Sequence, residues 1–433
     1  MLGVPRDTHP RGCQCDGAGV NRLDWLKIVF LRYYRSMGLR VFLYAVLSVV
    51  ATLASPFVNR LLGDGVSAGI DFGSVTPVLT ILASSMLAVS TFSLSIMVSA
   101  HRAAANTATP RVHRILLEDT TTQSVLSVFI GAFVYSLGSL VLYRLGFYPD
   151  EAALVVMAIT TLVVVAVILS LLRWINHLTT LGSIEESLQT AQVRSEASLL
   201  ALARQPGLGA SKMTDDTIMP PVTTPLRAGK SGYLQLIDMA MLDNCLPDQS
   251  TLYLEASPGQ HVLTGEVIGQ VSGTVDETLC AALLKAFTFG DFRTHEQDAE
   301  FGLVIISEIG LKALSPGIND PGTAIEAITR LKTLLWQYVS EPVQTDAPVV
   351  KSVVARFPGP SDLVEASFGQ ISRDSAGSFL VSRHLLESLT ALSAAENEGL
   401  ANAARAMATQ TIARAEEAGV PQDDMDRLRS AAP

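Results

Sequence analysis

Two segments of this 433-residue chain concentrate the side chains that chemistry uses: RTHEQDAEFG at 293–302 and SPGINDPGTA at 315–324. The first sets a guanidinium (Arg293), an imidazole (His295), two carboxylates (Glu296 and Asp298) and an amide (Gln297) side by side. The second holds Ser315, Asn319, Asp320 and Thr323 around two breaks, Pro316–Gly317 and Pro321–Gly322. Each proline removes a donor and clashes with the turn before it, so the pair reads as one helix stop and one helix start. Asp320 is then the N-cap, and Pro321 takes the first helical position, where a missing N–H costs nothing.

Three uses of this arrangement follow. If the first segment folds back onto the second, Arg293, Glu296, Gln297 and Asp298 join Ser315, Asn319, Asp320 and Thr323 around free N–H groups that suit a small anionic ligand. Glu296, Asp298 and Asp320 could instead hold a hard cation through carboxylate oxygens. The third use is purely structural. It is a helix–loop–helix corner held by side-chain hydrogen bonds, with Thr294 and Gln297 forming a capping box and the acids favoured by the helix dipole. The sequence has no nucleophile elbow, HExxH, phosphate loop or defensible Ser–His–Asp order, so no catalytic residue is assigned and no cofactor is expected.

The elements that carry these segments divide in two. The chain is 48% hydrophobic and 17% charged, with a mean hydropathy of +0.35, which points to membrane segments. Four apolar runs, at about 41–58, 75–100, 123–143 and 151–172, each approach the length that crosses a hydrocarbon core. Lys and Arg collect before the first run, between the second and third, and after the fourth, which places both termini in the cytoplasm of a bacterial inner membrane. The spans hold no internal Asp, Glu, Lys or Arg, which argues against a proton-coupled pump. The second run is rich in hydroxyls, with Ser90 and Ser93 as candidate pore-lining residues. The net charge of −10 gives no sign of a nucleic-acid partner. Cys13, Cys15, Cys245 and Cys280 have neither zinc nor disulfide-framework spacing, and the polar N-terminus does not read as a secretory signal.

The expected fold is a membrane α-helical domain of four transmembrane helices plus a cytoplasmic α+β region. Its parts are an N-terminal arm (1–40), the four-helix domain (41–172), a helical stem and linker (173–230), a small β-rich module (231–274) and a mainly helical domain (275–433). The stem reads as the fourth span running on to about residue 204, with 205–230 as a Pro/Gly/Thr-rich linker. PGQHVLTGEVI at 258–268 resembles the turn of biotinyl- and lipoyl-type barrel-sandwich domains, but without the lysine tripeptide a carrier needs. PVVKSVVAR at 348–356 reads as a strand.

RTHEQDAEFG, SPGINDPGTA and TPRVHRILLEDTTTQSVLSVFIGAFVYSL at 109–137 together resemble a large bacterial family of predicted membrane proteins, domain of unknown function 2254. The resemblance runs from about residue 22 to about 400. It implies four N-terminal spans and a cytoplasmic remainder, and no established activity. The motif residues it carries over are Arg293, Glu296, Gln297, Asp298, Phe301, Gly302, Ser315, Pro316, Gly317, Asn319, Asp320, Pro321 and Thr323. Gly322 departs from the family, which has a bulky apolar residue there. The expected function is a homo-oligomeric, channel-like or passive transport assembly in the lipid bilayer, with a cytoplasmic regulatory domain. A membrane-anchored enzyme or ligand sensor, sited at the two segments, and a membrane scaffold are the alternatives.

Overall fold

The computed structural model describes residues 71–107, 120–148, 153–179, 182–214, 216–342 and 350–433, with positions 42, 46, 50 and 111. Its contacts define two units, one ending at Ser187 and one beginning at Leu188.

The N-terminal unit holds α1 (Phe72–Thr107), α2 (Thr120–Arg144) and α3 (Ala153–Leu178). Each contains a stretch long and apolar enough to cross a membrane: Phe72–Ala100, Thr121–Arg144 and Ala153–Leu178. Helix is the form such segments take, because a chain in hydrocarbon must satisfy its backbone groups internally. Phe72, Val75, Leu79, Tyr135 and Val156 pack together in one cluster, and Leu82, Met86, Phe129, Val167 and Trp174 in a second. Phe72 stacks on Tyr143 at 4.4 Å. The Tyr135 hydroxyl joins α2 to α3 through Val156 O and Thr160 Oγ1, at 3.2 and 3.0 Å. Large apolar side chains, among them Ile81, Phe92, Leu162 and Leu169, are exposed on the outside, as lipid-facing positions are. The described residues thus hold three of the four expected spans. The first, 41–58, lies outside them except for Phe42, Val46 and Val50, which are helical and exposed.

The stem is not a continuation of α3. That helix stops at Leu178, Gly182 turns at φ +78°, and a new helix, α4, runs over Ile184–Arg204. The break has a local cause. Ser183 Oγ accepts from the Glu186 N–H at 3.0 Å, and the Glu186 carboxylate accepts from the Gly182 N–H at 3.1 Å, a reciprocal cap on α4.

After α4 the C-terminal unit runs β1 (Ala210–Lys212), β2 (Thr223–Arg227), β3 (Gly232–Ile237), α5 (Met239–Cys245), β4 (Leu252–Leu254), β5 (His261–Val262), β6 (Val267–Ser272), α6 (Glu277–Leu284) and β7 (Phe287–Gly290). Then come α7 (Ala299–Leu314), α8 (Pro321–Ser340), β8 (Val350–Ala355), α9 (Pro360–Asp374), α10 (Phe379–Ser393), α11 (Glu398–Glu417) and α12 (Gln422–Ala431). The strands form a five-stranded sheet, β1-β8-β4-β6-β2, and a three-stranded sheet, β5-β3-β7. β8 is parallel to β1 and β4, and the other pairings are antiparallel. Leu226, Leu234, Leu252, Val262, Val271, Phe287 and Val353 share one core between the sheets.

The β structure therefore extends beyond 231–274. β1 and β2 lie in the stretch that reads as a linker, β7 comes from the region that reads as helical, and β8 falls on 348–356, where a strand is expected. Pro225 fits β2 because that strand is a sheet edge, where a missing donor breaks no ladder.

Candidate functional site

The RTHEQD segment fastens the sheets to α7. Gln235 interrupts the β3–β7 register, and its Nε2 donates to Phe292 O at 2.7 Å. Gly290 makes this possible, since a Cβ there would run into the Gln235 amide. Gln297 then takes the place of a strand residue beside β3. Its Oε1 accepts from the Ile237 N–H at 2.8 Å, and its Nε2 donates to Ile237 O at 3.1 Å.

Asp298, 3% exposed, is the N-cap of α7 and accepts from the Phe301 N–H at 3.1 Å. Arg293 grips the same carboxylate with two bonds, Nε to Oδ2 at 2.7 Å and Nη2 to Oδ1 at 2.8 Å, and lies over the Phe301 ring at 5.2 Å. Burial pushes the Asp298 carboxyl up, while Arg293 and the Phe301 N–H pull against it. Burial also raises Glu300, with Asp298 adding to it; Glu300 stands 3.9 Å from Arg293. The Ser257–Gln260 turn closes over the pair. Gly259 sits there at φ +92°, donates its N–H to Leu234 O at 2.8 Å and leaves no room for a side chain against Asp298.

The expected Thr294–Gln297 capping box does not form, because Asp298 caps the helix and Gln297 serves β3. Thr294 Oγ1 and both ring nitrogens of His295 are buried without a hydrogen-bond partner among the described residues. The His295 ring packs 4.7 Å from Phe301. Burial, helped by the charge of Arg194, lowers its pKa to about 4, so it is neutral at physiological pH. Glu296 points to solvent.

SPGINDP is the corner between α7 and α8, and it is satisfied from within. Ser315 Oγ donates to Lys312 O at 2.6 Å, and the N–H groups of Ile318 and Asn319 donate to Ser315 O at 3.0 and 2.9 Å. Asn319 adopts the left-handed conformation, φ +50°, which asparagine tolerates. Asp320 caps α8 by accepting from the Thr323 N–H at 3.1 Å and the Thr323 hydroxyl at 2.6 Å. Those bonds lower the Asp320 pKa. A Cβ at Gly322 would meet only Asp320 Oδ1, at 3.3 Å, so a bulky residue at that position would project outward.

The two segments do not meet. They cap opposite ends of α7, a 16-residue helix that separates them by about 22 Å. The eight candidate ligand residues therefore form two separate clusters, Arg293/Glu296/Gln297/Asp298 and Ser315/Asn319/Asp320/Thr323. The proposed cation set of Glu296, Asp298 and Asp320 is likewise divided. Among the described residues no group of His, Cys, Asp and Glu side chains is placed to hold a metal ion. A concavity beside Asp298, walled by Leu202, Pro258, Phe357 and Pro358, has room for about one water.

What α7 does bring together is helices. Gly302 brings it against α4, where a Cβ would stand 2.9 Å from Ser195 Cα. Gly310 brings it against α8 and α9, at 3.2 Å from Ala327 Cβ and 3.3 Å from Ile371 Cδ1. Arg330 of α8, 9% exposed, binds Gln189 and Gln192 of α4 at 3.0 and 2.7 Å, and Gln337 binds Glu196 at 3.2 Å. Sequence reasoning passed over Arg330, which carried no motif.

In α1 the hydroxyls separate by face. Ser93 is 1% exposed, with no partner for its Oγ among the described residues, and Ser90 is half-buried and donates to Met86 O at 2.6 Å. The open face carries Thr80, Ser84, Ala88, Thr91, Ser95 and Ser99 at helical spacing, all exposed. Ile81 and Phe92 flank it on one side and Leu87 and Leu94 on the other. Thr80, Ser84 and Thr91 donate to the carbonyls of Thr76, Thr80 and Leu87 at 2.9, 3.0 and 3.2 Å.

Three candidate membrane helices and a sheet-containing, mostly helical C-terminal unit are the features of a membrane protein. The family described as "Predicted membrane protein (DUF2254)" matches residues 34–391, and the chain belongs to it. The chain is also 25% identical over 381 residues to uncharacterized proteins of Mycobacterium tuberculosis and Mycobacterium bovis, covering 85% of this chain and 71% of theirs. No solved structure matches it.

Proposed function

We propose that this membrane protein is a homo-oligomeric, channel-like assembly for passive movement of a small polar solute. The first span, at 41–58, completes each subunit. Both termini and the C-terminal unit are cytoplasmic, following the Lys/Arg bias of the loops, and that unit is regulatory. The observation that carries this reading is the open hydroxyl face of α1. From Thr80 to Ser99 it extends about 28 Å, close to the thickness of a hydrocarbon core. Its back-bonded hydroxyls are satisfied as donors and leave oxygen lone pairs facing outward. Copies arranged with these faces inward would enclose a path lined by weak acceptors and free of charge. Such a lining favours hydrated neutral solutes over proton relay.

The sensor or enzyme alternative draws its site from Glu296, Asp298, Asn319 and Asp320, and α7 divides these four between its two ends. Flux into proteoliposomes tests the channel directly. Thr91→Leu and Ser95→Leu should reduce the flux of small polar solutes at least tenfold with yield and subunit number unchanged. Ser93→Ala, inside the helix packing, should leave flux close to wild type. Equal flux in all of these proteins would remove the α1 face as the path.

A further inference from the structure

We infer that Arg102 sets the charge selectivity of the α1 path. One guanidinium from each copy stands at one mouth, admitting small neutral solutes and monovalent anions and turning cations away. This rests on the channel reading and names the solute class that the reading leaves open.

α1 carries its charge in one place. Of the 36 residues from Phe72 to Thr107, Arg102 is the only Asp, Glu, Lys or Arg, and it is exposed. Its position along the helix fixes the direction it faces. Ser84 and Arg102 are about five full turns apart, so their side chains leave the helix on the same side. Thr80, Thr91 and Ser95 lie within about 40° of that direction. The charge is therefore in line with the open hydroxyl face, about 4.5 Å along the axis from Ser99, where that face ends. It also stands just past Ala100, the last residue of the stretch that can cross a membrane. Hydroxyls and charge form one continuous surface, with the charge at its end and not within the apolar thickness.

At the other end of α1 the acid is turned aside. Asp71 immediately precedes the helix, and its Oδ1 accepts from the Ser74 N–H at 3.0 Å and the Ser74 hydroxyl at 2.9 Å. That carboxylate is engaged as a cap on the first turn.

The two kinds of group do different work. Back-bonded hydroxyls offer weak acceptors that do not sort solutes by sign. A ring of cations between low-dielectric walls does sort them, because it concentrates anions and depletes cations. Arginine suits this role, since its charge does not titrate. An arginine that only anchored α1 among headgroups would leave the order of the ions unchanged.

The test is tracer exchange in proteoliposomes of the full chain, with each solute at equal concentration on both sides so that no potential builds up. The probes are erythritol, which is neutral, isethionate, a monovalent anion, and choline, a monovalent cation. In wild type, erythritol and isethionate should exchange, and choline should lag isethionate by about tenfold or more. The gap should close between about 0.01 M and about 1 M salt, as the screening length falls from about 30 Å to about 3 Å. Arg102→Gln should bring the two ions together, and Arg102→Glu should reverse their order. Erythritol exchange and subunit number should match wild type in both. Arg173→Glu, the same charge change at an exposed position on α3, should keep the wild-type order. The same ion order in wild type and Arg102→Glu overturns the assignment of Arg102. So does a reversal that Arg173→Glu reproduces, or a wild type that passes erythritol but not isethionate. Erythritol exchange no faster than in protein-free liposomes would instead remove the channel reading, and this assignment with it.

Discussion

Gly259 and Asp298 come from distant stretches of the chain and fit together with no space for a methyl group between them. A Cβ on Gly259 would collide with the Asp298 carboxylate and stand 3.0 Å from Arg293 Nη2. Gly259 also holds φ +92°, in the left-handed region that favours glycine. This contact is where the sheets, the Arg293–Asp298 pair and the start of α7 are locked to one another. It makes RTHEQD a fastening between sheet and helix.

Gly259→Ala should destabilise the detergent-solubilised protein by more than about 2 kcal/mol, combining backbone strain with the collision. Gly265→Ala is the comparison, because Gly265 has φ +84° but open space around its Cβ. It should cost only about 1 kcal/mol. Thermal unfolding of the two variants side by side measures the difference, which is the contribution of the Asp298 contact.

The two acidic caps differ in what they hold. Asp298→Asn keeps a cap but takes from the half-buried Arg293 its two-bond partner, leaving only Glu300 at 3.9 Å, and should cost about 2 kcal/mol. Asp320→Ala removes only an exposed-loop cap, about 1 kcal/mol. Neither loss should depend on chelators, since no metal joins these carboxylates in this reading. A melting temperature that falls on adding a chelator to the wild type would restore the cation hypothesis.

His295 sets an acid limit. Its folded pKa, about 4, lies below the ordinary value of 6.5, so the unfolded chain binds the proton more readily. The stability of the native form is untouched above pH 6.5. It declines as pH falls from 6.5 toward 4 and takes no further loss from this group below that. The full effect is on the order of 3 kcal/mol. Denaturant melts of wild type and His295→Leu across pH 7 to 4 should show a shallower decline in the variant. Parallel curves would mean that the buried imidazole has an unseen partner.

The sequence was most legible where the signal was local. SPGINDP reads correctly as a stop and a start, with Asp320 as cap and Pro321 at the first helical turn. The Ser183–Glu186 cap that ends the supposed continuous stem was equally visible as S-x-x-E, and the apolar stripe of α4 obscured it. Face assignment in α1 was open to the same reading. Ser90 and Ser93 stand out as hydroxyls, but only the helical spacing of Thr80, Ser84, Thr91, Ser95 and Ser99 separates the open face from the packed one. What could not be read was non-local. Nothing near Val350–Ala355 says that this strand lies between β1 and β4. Nothing near Gln297 says that its amide serves Ile237. The helix between the two motif segments was legible over 303–314, and α7 extends it back to Ala299, with one segment at each end.

The central claim is that copies of this chain assemble around the α1 hydroxyl face. Native mass spectrometry of the full protein released from nanodiscs tests it most directly. The account predicts one closed stoichiometry of three or more subunits, the same in Thr91→Leu as in wild type. A wild-type protein that is monomeric at all concentrations contradicts it, because a single chain cannot enclose a path on its outer surface.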